Sequence, residues 1–272
     1  MKKKFLATLS SLLLATSFMT TVQAAEENSA EVYVTVADEN GKLSLAYEKI
    51  TVTDIDNDGA LTVNDALYCA HEAKYEGGAE SGYASVESEW GLSLTKLWGT
   101  ENGDSYGYYV NNSSAMGLTD SVKDGDVLNA YVYTDLTAWS DTFCYFDVNT
   151  ATAETNEEIT IILTAAGYDE NFNPITYPVS GATITFNGND TEYTTDENGK
   201  VTIKADVAGT ITVSATSTEK TLVPPALLFD VTETVSSDTN AGDSNTTFIY
   251  VLLLAGSAIL ITVSARKKTY EA

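Results

Sequence analysis

Glu31-Val32-Tyr33-Val34-Thr35-Val36, the turn Asp38-Glu39-Asn40-Gly41-Lys42 and the run from Leu43 to Val52 decide the fold class. In the first segment apolar and polar side chains alternate with a period of two, the pattern of a half-buried strand. Asn40-Gly41 occupies the hairpin position, and Leu43 to Val52 reads as the returning strand. Tyr, Thr, Asn, Asp and Gly recur between alternating apolar residues further along, which points to β structure.

Working outward, Asn64 to Lys74 is expected to form the one helix of the soluble part. Ala66, Leu67, Ala70 and Ala73 share a face, and Gly77-Gly78 supplies a stop. Short Tyr- and Trp-rich segments follow: Trp90 to Leu94, Leu97-Trp98-Gly99, Tyr106 to Asn111 and Val127 to Tyr133. Together these define a first domain over 31–147. A second, over 153–234, shows strand candidates at even spacing: Ile159 to Leu163, Ala182 to Phe186, Thr191 to Thr194, Val201 to Ile203 and Thr210 to Ala215. Its turn Asp196-Glu197-Asn198-Gly199-Lys200 repeats the first one. The expected fold class is mainly β: an α+β first domain with one helix, then an Ig-like β-sandwich.

The two ends carry targeting signals. Residues 1–24 join Lys2, Lys3 and Lys4 to a short apolar stretch closing on Val22-Gln23-Ala24, a signal-peptide pattern. Residues 248–265 are uncharged and long enough to span a bilayer. Arg266-Lys267-Lys268 begin a basic tail, 266–272, that belongs on the cytoplasmic side. A polar stretch at 235–247 reads as a flexible stalk. The ends resemble those of Gram-positive surface proteins. The expected location is the cell membrane, single-pass, with the ectodomain outside. Asp238-Thr239-Asn240-Ala241-Gly242 stands where a sortase signal would lie but lacks its Leu and Pro. Retention in the membrane is therefore expected, with cell-wall attachment as the alternative.

Charge narrows the partners. The chain has 272 residues and a net charge of −25. Between the two terminal signals it keeps eight lysines, no arginine and all but one of its 39 acidic residues. Such a surface repels nucleic acid and anionic lipid and suits cations.

The sharpest motif runs from Asp54 to Asp65. Asp54, Asp56 and Asp58 stand at positions 1, 3 and 5, Gly59 at 6, an apolar residue at 8 and a carboxylate at 12. Alternate residues would aim oxygens at one hard cation, with the Ala60 carbonyl, Thr62 and Asp65 completing the set for Ca²⁺. The closing Asp resembles the dockerin version of the loop. The competing reading is an Asp-rich turn that N-caps the helix, with Asp65 in its first turn.

Residues 49–147 resemble the transcobalamin-C-terminal-like domain of unknown function found in exported proteins. The likeness rests on Asp65-Ala66-Leu67, Leu97-Trp98-Gly99, Tyr106-Gly107-Tyr108-Tyr109-Val110-Asn111 and Lys123-Asp124-Gly125-Asp126-Val127. In transcobalamins that domain helps to close over a corrinoid. The resemblance thus implies capture or carriage of a small ligand as an alternative function. Trp98, Tyr106, Tyr108 and Tyr109 would line an apolar groove with Asn111 as its polar group. The other reading makes these aromatics core, with Tyr108 and Val110 on one face of a strand and Tyr109 on the other. Residues 153–234 resemble bacterial Ig-like modules of the invasin or Cna-B kind. Ser180 to Ile184 and Thr194 to Val201 carry that likeness, which implies a spacer or stalk.

Cys69 and Cys144 in an exported chain are expected to form a disulfide, with two buried free thiols as the alternative. Catalytic signals are thin. His71 is the single histidine, on the helix. Neither a nucleophile elbow nor a zinc-ligand pair accompanies it. Glu87 and Glu89 read as a solvated face. The function expected is non-catalytic binding or display at the cell surface, stabilised by calcium, with an extracellular polysaccharide or protein as partner.

Overall fold

A computed structural model describes residues 29–89 and 91–234. The signal peptide, stalk, apolar span and basic tail expected from the sequence lie outside the described residues, as does Trp90. Among the described residues no helix is long and apolar enough to cross a membrane.

The first lobe is a mixed sheet with helices on one face. Strands β1 (Ser29–Ala37) and β2 (Leu43–Thr53) form the expected hairpin, with Val32 opposite Ile50. Helix α1 (Val63–Lys74) follows, then α2 (Gly78–Gly82) and the hairpin β3 (Ala84–Ser88) and β4 (Gly91–Lys96). Strands β5 (Tyr106–Val110), β6 (Ser113–Ser114) and β7 (Val127–Val132) complete the sheet in the order β2-β1-β7-β5-β6. β7 runs parallel to β1 across more than ninety residues of chain. Val32, Val34, Val36, Ile50, Val52, Leu128 and Val132 meet Val63, Ala66, Leu67 and Ala70 of α1 in one core. The helix therefore buries Ala66, Leu67 and Ala70 of the face expected from its spacing, whereas Ala73 is exposed and His71 is the last buried residue of α1. The helix ends at Lys74, and Gly77, at φ 86°, turns the chain into α2. The described residues thus hold two helices where one was expected. Ala79 of α2 buries against the same core, and its N–H donates to the Glu72 carboxylate at 3.0 Å.

The second lobe is a two-sheet β-sandwich. One sheet holds β11 (Pro174–Pro178), β10 (Ile159–Tyr168), β8 (Thr142–Phe146) and β16 (Leu222–Val223), with β14 (Lys200–Ile203) also paired to β10. The other runs β13 (Asn189–Thr194), β12 (Thr183–Phe186), β15 (Gly209–Thr216), β17 (Leu227–Thr232) and β9 (Thr150–Glu154). Phe146, Ile161, Leu163, Ile184, Ile203, Val213, Leu227 and Phe229 fill the space between them.

Two expectations are corrected here. The strand 142–146 belongs to the sandwich and not to the first domain, because β8 pairs with β10 and β16. The disulfide is absent: Cys69 and Cys144 are free thiols. Cys69 packs on the first lobe's core from α1, whereas Cys144 is buried in the second lobe's core, its Sγ donating to the Val223 carbonyl at 3.2 Å. Once β8 changes lobes, its cysteine goes with it.

The far face of the first sheet meets the sandwich. Ala37 and Tyr131 pack with Phe143 and Val223, and the Tyr109 ring stacks on Phe143 at 3.7 Å between centroids. This burial pushes the Tyr109 phenol up to about 12.

Three turns share one design. Two close the β1–β2 and β10–β11 hairpins. The third, expected to be a hairpin turn, instead carries the chain from β13 in one sheet of the sandwich to β14 in the other. In each, an Asp side chain accepts from the backbone N–H two and four residues on, at 2.8 to 3.0 Å: Asp38, Asp169 and Asp196. The fourth residue is left-handed in all three: Gly41 at φ 65°, Phe172 at φ 60° and Gly199 at φ 72°.

Candidate functional site

The segment from Asp54 to Asp65 joins β2 to α1 and divides into two parts. The carboxylates of Asp54, Asp56 and Asp58 converge, with one oxygen of each within 4.8 Å of the others. Backbone donors shape this end. Asp54 accepts from Gly59 N–H at 2.8 Å and from Asp58 N–H at 3.2 Å, and Asp58 accepts from Ala60 N–H at 2.8 Å. The Gly59 N–H, with further backbone donors, holds the Asp54 carboxyl below its ordinary range. Asp56 is pushed up, first by partial desolvation and then by the Asp58 and Asp65 carboxylates. A concentration of negative charge of this kind favours a bound cation.

The other end is a helix cap. Thr62 is the N-cap of α1 and forms a reciprocal capping box with Asp65. The Thr62 N–H and hydroxyl donate to Asp65 Oδ2 at 2.8 and 2.6 Å, and Ile55 N–H donates to Oδ1 at 3.0 Å. Asp65 is fully buried. The motif therefore divides between two sets of residues. The carboxylates of the three aspartates converge, whereas Thr62 and Asp65 cap the helix. The half-buried Ala60 joins the two.

The exit of this segment is tied to 118–122. Val63 N–H donates to the Asp120 carbonyl at 2.9 Å, Asn64 N–H to the Leu118 carbonyl at 2.9 Å, and Val122 N–H to the Leu61 carbonyl at 2.8 Å. The first two satisfy donors at the start of α1 that a helix leaves open. They also connect the acidic loop to a groove. Leu92, Leu94, Tyr106, Tyr108, Met116 and Asp120 are among the residues lining a groove of about 330 Å³. The Asp120 carboxylate accepts from Met116 N–H at 2.7 Å and so fixes that wall. Met116 is 93% exposed, an unusual position for a large apolar side chain. Burial, and then the nearby Asp120, raises the Tyr108 phenol above its usual value.

The aromatic set expected to form one groove is divided. Tyr106 and Tyr108 line the groove. Tyr106 is held by its hydroxyl, which faces the carbonyls of Thr95 and Thr100 and accepts from Asn102 N–H. Tyr109, one residue on, points to the other face and the lobe junction. Trp98 packs beside His71 and Tyr75. Asn111 is a turn residue at φ 50°, its side chain bonded to Asp126 and to Val127 N–H. The sequence reading missed Leu92, Leu94, Met116 and Asp120 as groove residues. A methionine in the otherwise small and polar run Ser113 to Gly117 was the available signal.

His71 has no catalytic opening. It is fully buried, with Nδ1 2.6 Å from the Leu67 carbonyl and Nε2 accepting from Trp98 N–H at 2.9 Å. Desolvation lowers its pKa to about 4, so it stays neutral at physiological pH. Glu87 and Glu89 are exposed, as a solvated face requires.

No family model matches the chain, and no curated protein matches it either. Among solved structures the chain is similar to the D0-D1 domain of intimin, at 18% identity over 73% of this chain and 97% of that one, with a TM-score of 0.25. It is also similar to the N-terminal four Ig domains of Dscam1 isoform 6.9, at 9% identity over 56% of this chain and 36% of that one, with a TM-score of 0.21. Superpositions this loose assign neither a fold family nor a role.

Proposed function

We propose that the chain is a non-catalytic binding module displayed at the cell surface, its groove held in shape by calcium. One observation carries the reading: the acidic loop and the groove share a wall. The same residues 118–122 take the backbone donors of the loop's exit and carry Asp120 and Thr119 into the groove. A cation held by Asp54, Asp56 and Asp58, with the Ala60 carbonyl and water, would neutralise the clustered charge and stiffen that wall. The Ig-like assignment of the sandwich, its role as a spacer and the membrane anchor belong to the same reading.

The groove accepts a small apolar or planar group projecting from a larger extracellular partner, with Tyr106 and Tyr108 as platform and Met116 as an adaptable lip. Capture of a corrinoid is the weaker alternative. The aromatic set that would support it is dispersed, and the groove is small for a macrocycle. The test is a screen of immobilised extracellular polysaccharides and proteins in calcium and in chelator, beside a corrinoid titration followed by absorbance. Calcium-dependent capture weakened in Met116→Ala, whose exposed side chain can be removed at unchanged melting temperature, is the expected result. Corrinoid binding in its place would overturn the reading.

A further inference from the structure

A second cleft lies on the opposite side of the first sheet, and its floor has the wrong chemistry for a packed interface. In β15, Val213 and Ala215 enter the sandwich core, so Thr212, Ser214 and Thr216 face outward. Thr185 of β12 stands opposite Ser214 in register. Simple alternation assigns these hydroxyls to solvent. Instead the first lobe's segment from Asn40 to Ala46 stands over them and encloses a cleft of about 660 Å³. Thr185 is left 4% exposed and Ser214 8% exposed.

The Ser214 hydroxyl finds no hydrogen-bond partner among the described residues. A buried hydroxyl without a partner costs folding free energy, and native interiors seldom leave one unexplained. The lining adds three constraints. It contains no Asp or Glu, in a chain with 39 of them, and no aromatic ring. It also carries Lys42, which is exposed and without an ion pair among the described residues. A cationic ligand would find no counter-charge there. A flat aromatic ligand would find no stacking surface. A ligand rich in hydroxyls, with one carboxylate, meets donors and acceptors on the floor and one positive charge at the rim.

We infer that this cleft binds an acidic saccharide unit, a hexuronate. Ser214 supplies the floor hydrogen bond, Thr185, Thr212 and Thr216 flank it, and Lys42 pairs with the carboxylate. The assignment is independent of the Tyr106–Tyr108 groove and stands if that groove binds nothing.

The test is titration of the full-length chain with D-glucuronate, read by calorimetry and by amide chemical shifts. D-glucose serves as the neutral counterpart and glutarate as a carboxylate without the sugar. Glucuronate is expected to bind with shifts centred on Thr185, Thr212 and Ser214, and to bind at least about tenfold more tightly than either control. Lys42→Gln should weaken glucuronate about tenfold and leave glucose unchanged. Ser214→Ala should weaken it about fivefold while the melting temperature holds or rises, because the variant removes an unpaired hydroxyl. Equal binding of glucose or glutarate would overturn the assignment. So would glucuronate affinity indifferent to both substitutions, or no response to any solute, which would leave water as the partner of Ser214.

Discussion

The backbone N–H of Trp98 donates to Nε2 of His71 at 2.9 Å, while the other ring nitrogen faces the Leu67 carbonyl at 2.6 Å. One neutral imidazole thereby bridges α1 to the Leu97-Trp98-Gly99 turn. Trp98, at φ 49°, could not hold that backbone shape cheaply without a fixed partner.

This bridge predicts a specific acid sensitivity. The folded pKa of about 4 lies below the ordinary value of 6.5. The unfolded chain therefore takes up the proton first as pH falls. The stability that depends on neutral His71 is complete above about pH 6.5 and is lost between there and about pH 4, roughly 3 kcal/mol in all. Because the chain has a single histidine, its ring proton resonance reports the titration without ambiguity. A midpoint near 4 is expected. A midpoint between 6 and 7 would show the ring to be solvated and free.

The three Asp-headed turns predict an ordered set of glycine effects. Phe172 is 85% exposed and sits in the left-handed conformation that its two counterparts assign to glycine. Phe172→Gly should relieve that strain, partly offset by a looser unfolded chain, for a net gain of about 0.5–1 kcal/mol. Gly41→Ala should cost about 1 kcal/mol, since the added carbon meets only Thr134 at 3.8 Å. Gly199→Ala should cost more, because its Cβ would collide with the Leu163 carbonyl oxygen. Denaturant melts that rank the two alanine variants the other way would refute the shared design.

The thiols should behave unequally. Cys144 is fully buried, and desolvation raises its thiol far above the usual range, which suppresses the reactive thiolate. Cys69 is only half-buried. Alkylation of the folded protein is expected to label Cys69 alone, and alkylation after denaturation without reductant to label both. Intact mass spectrometry measures this. A chain two mass units lighter, with no alkylatable thiol, would restore the disulfide.

Calcium should raise the melting temperature through binding to the folded state alone, by about 2.7 kcal/mol at a hundredfold excess over Kd. Asp54→Ala combined with Asp58→Ala should remove that increment. Thr62→Ala should instead cost about 1 kcal/mol with or without calcium, because it breaks the helix cap. Identical melting of the unmodified chain in calcium and in chelator would leave the aspartates as a plain turn.

The sequence by itself determined the local pieces. Period-two alternation marked β1, the first Asp-Glu-Asn-Gly-Lys turn marked its hairpin with β2, even spacing marked β10, β12 and β15, and small residues on one face marked α1; the second such turn proved to join strands of two different sheets. Each of these signals is complete within about a dozen residues. The tertiary structure decided which pieces pair. β1 and β7 are joined in parallel, and β9 with β17 likewise, across stretches of chain that leave no trace in either strand's pattern. Alternation tells a strand which face is apolar but not which edge it will meet, so β8 carried the same signature in either lobe. The division of the aromatics had the same origin. Tyr108 and Tyr109 must face opposite ways, but only the docking of Phe143 on Tyr109 left Tyr108 to the groove. Ser214 shows the limit most plainly. Its alternation reads as a solvent-facing position, and it became buried because a hairpin more than 160 residues away closed over it.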